Sequence, residues 1–365
     1  MAEQVRAGPD AKQKEEQKQV LPLPYNICAE VRLQHAGRTP ALHVYGKSGI
    51  MKQSDRDTLR QNAVLWVLSR SEGIGKKRLN RLVSTLGRAS VSLNDAVGMK
   101  TLELAERVPG LEPQALAALR HCGAKEIREA ETLLLSLPGD ICAVTLFSPL
   151  APLRWKTMLR EEAPPFLFLK GNASLLDRPA CAVVGRREAN DEEAGQAYRC
   201  GELIAEAGFV LVSGGAAGID RAGHNGALDA GRSTIVCLPQ GISTYALSPD
   251  WQKALEEGRL LLISEYLPFV GWSTPAALAR NAYIAAQAWL VCVVAPRLQG
   301  GSIATARHAL KQGKPALISA TMPLPADVAA EARPLSLLPE YLKILQESGE
   351  RLRPSGWLDL GEDQA

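Results

Sequence analysis

Aromatic residues are scarce in this sequence, Phe, Tyr and Trp together making up 5% of 365 residues, and there are only five histidines. His35, His43, His121, His224 and His308 form no H-x-x-x-H pair and no Cys/His cluster at zinc-ligand spacing, so no metal site is expected. No C-x-x-C pair occurs among the seven cysteines, at 28, 122, 142, 181, 200, 237 and 292. Several lie in apolar runs, where a thiol acts as a small hydrophobe, which points to reduced, structural residues. Long hydrophobic runs are missing too. The longest, Ala282 to Ala295, has 14 residues and is interrupted by Gln287, short of the roughly 20 that cross a bilayer. The N-terminus, MAEQVRAGPDAKQKEEQKQV, has mixed charge and no apolar h-region, so it does not read as a secretory signal. The expectation is a cytoplasmic protein with no membrane partner.

Neither sign of charge dominates, the net formal charge being +3. The distribution is uneven, however. Residues 1–160 hold 24 Lys and Arg against 16 Asp and Glu, and the remainder holds 18 against 23. A basic front fits a nucleic-acid footprint and equally a solvated helix face, and charge alone does not choose between them. Apolar material is plentiful at 46%, against 22% charged residues, which is the composition of a globular protein with a sizeable core. At roughly 100–200 residues per domain, the length suits two or three domains.

Residues 1–50 read as an N-terminal extension, partly disordered, whose first part is polar. From Asp57 apolar residues recur at helical spacing in LRQNAVLWVLSR, KKRLNRLVSTLG, NDAVGMKTLELAERV, PQALAALRHC and REAETLLLSL, defining a small all-helical domain over 55–137. EGIGKK at 72–77 and VPGLEPQAL at 108–116 place glycine-bearing turns between helices, the pattern of a helix-hairpin-helix or SAM-like domain. Such a turn lets helix-start amides approach a phosphate, which makes Lys76, Lys77 and Arg78 candidate secondary DNA contacts. Glycines that cap two packed helices would read the same way.

Across 138–320 the pattern changes to alternating elements. Apolar runs at 180–185, 209–214, 234–239, 260–265, 289–295 and 315–320 read as buried parallel strands. Four of the connecting segments have helical content and end in glycine, as a C-terminal cap requires. The fold class is therefore α/β, a Rossmann-like doubly wound, mostly parallel sheet preceded by the helical domain. Residues 321–365 form a tail with one helix, around Pro339 to Gly349.

Ligands of such a sheet lie beyond the C-terminal ends of its strands. After the first strand stands Gly185-Arg186-Arg187 in place of G-x-G-x-x-G, and no acid ends the second strand, which disfavours a dinucleotide cofactor. Paired guanidinium groups suit phosphate oxygens. After the second strand comes Ser213-Gly214-Gly215-Ala216-Ala217-Gly218-Ile219-Asp220, a glycine-rich helix start with no Walker lysine. Gly300-Gly301-Ser302 opens a later helix in the same way. Two such anion sites on one edge fit an extended polyanion. Asp220 and His224 share a helix face, but no nucleophile or metal partner completes a reaction, so Asp220 is read as organising the loop.

The run from PPFLFLKGN to GRREAN, then VSGGAAGIDRAGHNGALDAG, LISEYLP, Arg280-Asn281 and GGSIATARHAL resembles the DNA-processing protein A family (DprA, also called Smf) in order and spacing. The resemblance covers about residues 60–320. It implies a protein without catalytic residues or cofactor that binds single-stranded DNA, forms a homodimer, protects incoming DNA, and assists loading of the RecA recombinase in natural transformation or recombination. The positions it implies for DNA and phosphate are Gly185, Arg186, Arg187, Ser213, Gly214, Gly218, Arg280, Asn281, Gly301 and Ser302. Three departures stand out: Ala217 where an Arg commonly precedes G-I-D, Ala282 for the second Arg of R-N-R, and Ala277-Leu278 for an aromatic-Pro pair. Each removes a cation or a stacking face, and Phe269 and Trp272 are the nearby aromatics able to stack on bases. The rival readings are a hydrolase or sensor for a nucleotide-derived small molecule and a defence-system interaction module. Against the first, the P-G-G-x-G-T-x-x-E run that related phosphoribohydrolases need is absent.

Overall fold

Leucines at three- and four-residue intervals build the front of the chain. The computed structural model describes residues 53–145, 148, 151–297, 300–319 and 323–348; all of the expected extension and the end of the tail lie outside the described residues. Six helices come first: α1 (Gln53–Ser69), α2 (Lys76–Arg88), α3 (Leu93–Gly98), α4 (Thr101–Arg107), α5 (Pro113–His121) and α6 (Ala124–Leu135). They enclose a core that includes Leu65, Leu68, Leu79, Leu86, Leu104, Leu119 and Ile127. Gly73 and Gly110 take φ of 73° and 85° in the α1–α2 and α4–α5 turns. The segment read as one helix over NDAVGMKTLELAERV is two, because Met99 and Lys100 are extended, with ψ of 150° and 151°.

The rest alternates strand and helix: β1 (Cys142–Thr145), α7 (Leu153–Leu159), β2 (Phe166–Gly171), β3 (Ala180–Gly185), α8 (Asp191–Glu206), β4 (Val210–Ser213), α9 (Ile219–Asp229) and β5 (Thr234–Leu238). There follow α10 (Pro249–Glu256), β6 (Leu260–Ser264), α11 (Thr274–Gln287), β7 (Leu290–Val294), α12 (Gly301–Lys311), β8 (Ala316–Ser319), α13 (Ala326–Ala329), β9 (Arg333–Pro334) and α14 (Leu338–Ser348). These strands form one sheet in the order β1-β2-β6-β5-β4-β3-β7-β8-β9. Pairing is parallel from β6 through β9 and antiparallel at β1–β2 and β2–β6.

Both faces of the sheet are covered, which is why its central strands read as unbroken apolar runs. Ala180, Ala182 and Val184 of β3 face one core with Trp155, Ile284 and Ile303, from α7, α11 and α12. Cys181 and Val183 face the other, with Ile204, Ala227 and Leu342 from α8, α9 and α14. Gly208, Gly231, Gly258 and Gly313 end α8, α9, α10 and α12 with φ between 69° and 85°, the left-handed cap expected there. α11 fills the connection in which no helix was read. Its sequence signal is Ser273, whose side chain caps the Ala276 N–H, followed by Pro275 in the first turn.

From β3 the chain winds outward to β6, then returns to the other side of β3 for β7. The strand order reverses between β3 and β7. In a doubly wound sheet that reversal opens the ligand crevice, and here it brings the loops after β3 and β7 together. The six described cysteines are buried, and no disulfide joins any two of them. No helix among the described residues is long and apolar enough to cross a membrane.

Candidate functional site

At the crevice, the two arginines after β3 differ. Arg186 is half-buried and forms a two-pronged ion pair with Glu193, its Nε lying 2.8 Å from Oε2. Glu193 also closes the capping box of α8 with Asn190, so Arg186 is anchored to a helix start. Beside this pair, Glu188 bridges across the crevice to Arg297, which follows β7. Arg187 is exposed. Its guanidinium lies 5.0 Å from the ring centroid of Trp272, a cation–π geometry that leaves its N–H groups able to meet an anion. Trp272 and Phe269, on the loop between β6 and α11, are 46% and 73% exposed. Val270 and Leu278 extend the same exposed apolar segment. Leu278 thus presents an aliphatic surface at one of the departures noted above.

The glycine loop is closed from within. Ser213 is fully buried and donates to the Val183 carbonyl at 2.5 Å. The Gly214 N–H donates to Asp220 Oδ2 at 3.2 Å, and backbone groups at Ala216 and Gly185 also hydrogen-bond this carboxylate. The anion that these amides hold is the protein's own. Arg280 lies on the other side of Asp220, buried, with Nη1 donating to the Cys237 carbonyl at 3.0 Å. A Cβ at Gly214 would fall 1.4 Å from Arg280 Nη1, so glycine is required for the guanidinium to fit. Burial raises the Asp220 pKa, opposed by Arg280 and the backbone donors. Burial lowers that of Arg280, opposed by Asp220.

Gly218 holds φ at 75°, and a Cβ there would lie 2.3 Å from the Arg187 carbonyl oxygen and 2.6 Å from that of Arg186. Ile219 N–H donates to the Arg186 carbonyl at 3.2 Å. The loop after β4 therefore supports the turn that presents Arg187. Gly185 is equally confined, a Cβ there meeting the Val294 carbonyl oxygen at 2.2 Å. Asn281 is buried against the start of α12, its Nδ2 3.0 Å from where a Gly301 Cβ would stand. Ser302 is buried in the first turn of α12.

Beneath the loop, Thr234 Oγ1 donates to the Leu211 carbonyl at 2.9 Å and so accepts from His224 Nδ1 at 2.6 Å. This arrangement assigns the proton to Nδ1 and leaves Nε2 bare, with no hydrogen-bond partner. Burial, aided by Arg280 and Arg221, pulls the His224 pKa down to about 3.

The hairpin cations are each held in an ion pair. Lys76 pairs with Glu265, Lys77 with Glu162, and Arg78 with Glu112, the last two at 2.8 Å and 2.7 Å. They join the helices to the sheet and to one another.

The reversal of strand order, with a cation and aromatic surface at its mouth, defines a Rossmann-like protein with an open crevice at its strand ends. A family model described as DNA recombination-mediator protein A matches residues 143–337, and the chain belongs to that family. It is 34% identical over 163 residues to DNA processing protein DprA of Streptococcus pneumoniae, covering 44% of this chain and 57% of that protein. It is 34% identical over 161 residues to protein Smf of Escherichia coli, covering 42% and 41%. The chain thus spans about half the length of these curated relatives. The X-ray structure of DNA processing protein A from Streptococcus pneumoniae superposes with a TM-score of 0.56 at 21% identity, covering 80% of this chain and 93% of that one, which shows a shared fold.

Proposed function

We propose that the chain binds single-stranded DNA with little sequence preference along the strand-end edge of its sheet, and that it performs no chemistry on the DNA. Arg187 carries this reading: an exposed guanidinium beside the strand-reversal crevice, 5.0 Å from the ring centroid of Trp272, on a loop that also exposes Phe269. A phosphate meets the cation while unpaired bases stack on the aromatic faces, which a duplex keeps covered. Gly301 and Ser302 add the N-terminus of an eleven-residue helix to the same edge. Membership of a family named for mediating recombination supports a role as a homodimer that protects incoming DNA and passes it to the RecA recombinase. The Gly214 N–H and the backbone at Ala216 already serve Asp220, which argues against a small nucleotide held in that loop.

The test is a gel shift with a labelled short single strand and its duplex at two salt concentrations. Single-strand binding should be preferred and should weaken with a log-log salt slope of about −0.7 per phosphate neutralised. Arg187→Ala should cost on the order of 1.5–3 kcal/mol of binding while leaving the fold intact. Preference for duplex, or an Arg187→Ala variant that binds normally, would sink this assignment.

A further inference from the structure

Lys76 opens α2 directly after the glycine turn of the first hairpin, yet its side chain reaches the sheet. Its Nζ lies 2.5 Å from Tyr283 Oη and pairs with Glu265. The Tyr283 hydroxyl donates to Glu265 Oε2 at 2.8 Å, closing a triangle of hydrogen bonds. Tyr283, on α11, is stacked on Trp155 of α7 with ring centroids 4.9 Å apart and an angle of 21° between the planes. The triangle thus rests on a rigid aromatic floor. The Glu265 side chain is only 8% exposed, and removing one partner of so enclosed an ion pair leaves the other charge uncompensated.

Glu265 is the residue from which the loop carrying Phe269 and Trp272 departs. Beyond it the Tyr266 N–H donates to Ser264 Oγ at 3.0 Å, and the loop is tied by Gly241 N–H to the Val270 carbonyl at 2.8 Å, Ser243 N–H to that of Pro268 at 2.9 Å, Val270 N–H to that of Leu267 at 3.0 Å, and Thr244 Oγ1 to that of Val270 at 3.4 Å. The base of the loop is fixed by Glu265, and Glu265 is fixed by a lysine from the helical region. α2 is itself docked firmly, since Asn80 Nδ2 donates to the carbonyls of Glu161 and Ala163 at 2.8 Å each.

We infer that Lys76 is a positioning residue for the single-strand site: the helical region sets the Phe269–Trp272 loop through Lys76 and Glu265, without touching DNA. This inference rests on the proposed single-strand binding. The two ideas separate experimentally, because one readout needs no DNA.

The full chain and three variants are compared: Lys76→Met, the double variant Lys76→Met/Glu265→Gln, which removes the enclosed unpaired carboxylate, and the exchange Lys76→Glu/Glu265→Lys. Hydrogen exchange on the free protein should show faster exchange at residues 241–243 and 266–270 in Lys76→Met, with protection returning in the exchange variant. Exchange that rises within α2 alone, or nowhere in the loop, overturns the inference even if the wild-type chain binds no DNA. On a short single strand, Lys76→Met should bind about tenfold more weakly with an unchanged salt slope, because no phosphate contact is lost. A slope smaller by about 0.7 would mean that Lys76 touches a phosphate directly, which also overturns it. If Lys76→Met fails to fold, the double variant decides by the same two readouts.

Discussion

Held neutral beneath the glycine loop, His224 couples one imidazole to the stability of the whole sheet. Its folded pKa, about 3, lies below the ordinary 6.5 because burial disfavours the charged form. Above 6.5 both the folded and unfolded imidazoles are neutral and the group contributes nothing adverse. As pH falls from 6.5 towards 3, the unfolded chain takes up a proton that the folded one refuses, and stability is lost. Urea unfolding at about pH 7 and about pH 5 should therefore show the wild-type chain losing roughly 2 kcal/mol more than His224→Asn over that interval. Equal losses would place the imidazole in contact with solvent. At this scale the sequence was partly legible. The position of Arg187 follows from strand order alone, because residues after a parallel strand stand at the ligand edge. The partners of the other cations do not. Arg78 meets an acid 34 residues away, and Lys76 meets Glu265 on a different layer of the molecule; no local pattern announces such pairs. Nor does a glycine-rich helix start reveal that a buried aspartate, and not a ligand, takes its amides.

Gly218 shows how one element shapes another. Because its φ is positive and a side chain would meet the carbonyls of Arg186 and Arg187, Gly218→Val must push the loop after β4 away from the turn after β3. We expect a loss of stability on the order of 1–3 kcal/mol, read from the urea midpoint, and a loss of single-strand binding beyond what Arg187→Ala causes. A variant with unchanged midpoint and affinity would show that the two loops are independent. Elements were the most legible level. Central parallel strands announce themselves because both faces are buried, and helix ends because only glycine takes the left-handed cap cheaply. α11 escaped notice because its apolar face is largely alanine, which reads weakly by periodicity, while its signal lay in the Ser273 cap. The antiparallel pairing of β2 with β6, which links Phe168 to Ser264, is set by contacts remote in sequence and carries no local mark.

At the scale of the molecule, the helical region and the sheet share a core. Trp66 of α1 stands edge-on to Phe166 and Phe168 of β2, with ring centroids 5.3 Å and 6.5 Å away, and Phe166 is buried among the leucines of the helices. Denaturant unfolding followed by tryptophan fluorescence and by far-ultraviolet dichroism should give coincident transitions. Two separated transitions would mean that the six helices hold together without the sheet. The margins of that sheet have a further consequence. β9 is two residues long and includes Pro334, which has no N–H to offer, and β1 is four residues long beside the packed helices. Neither margin presents the long row of free backbone groups that recruits a stray strand from another chain. Copies crowded side by side along one polymer could therefore stand at very high local concentration without zipping their sheets into fibrils.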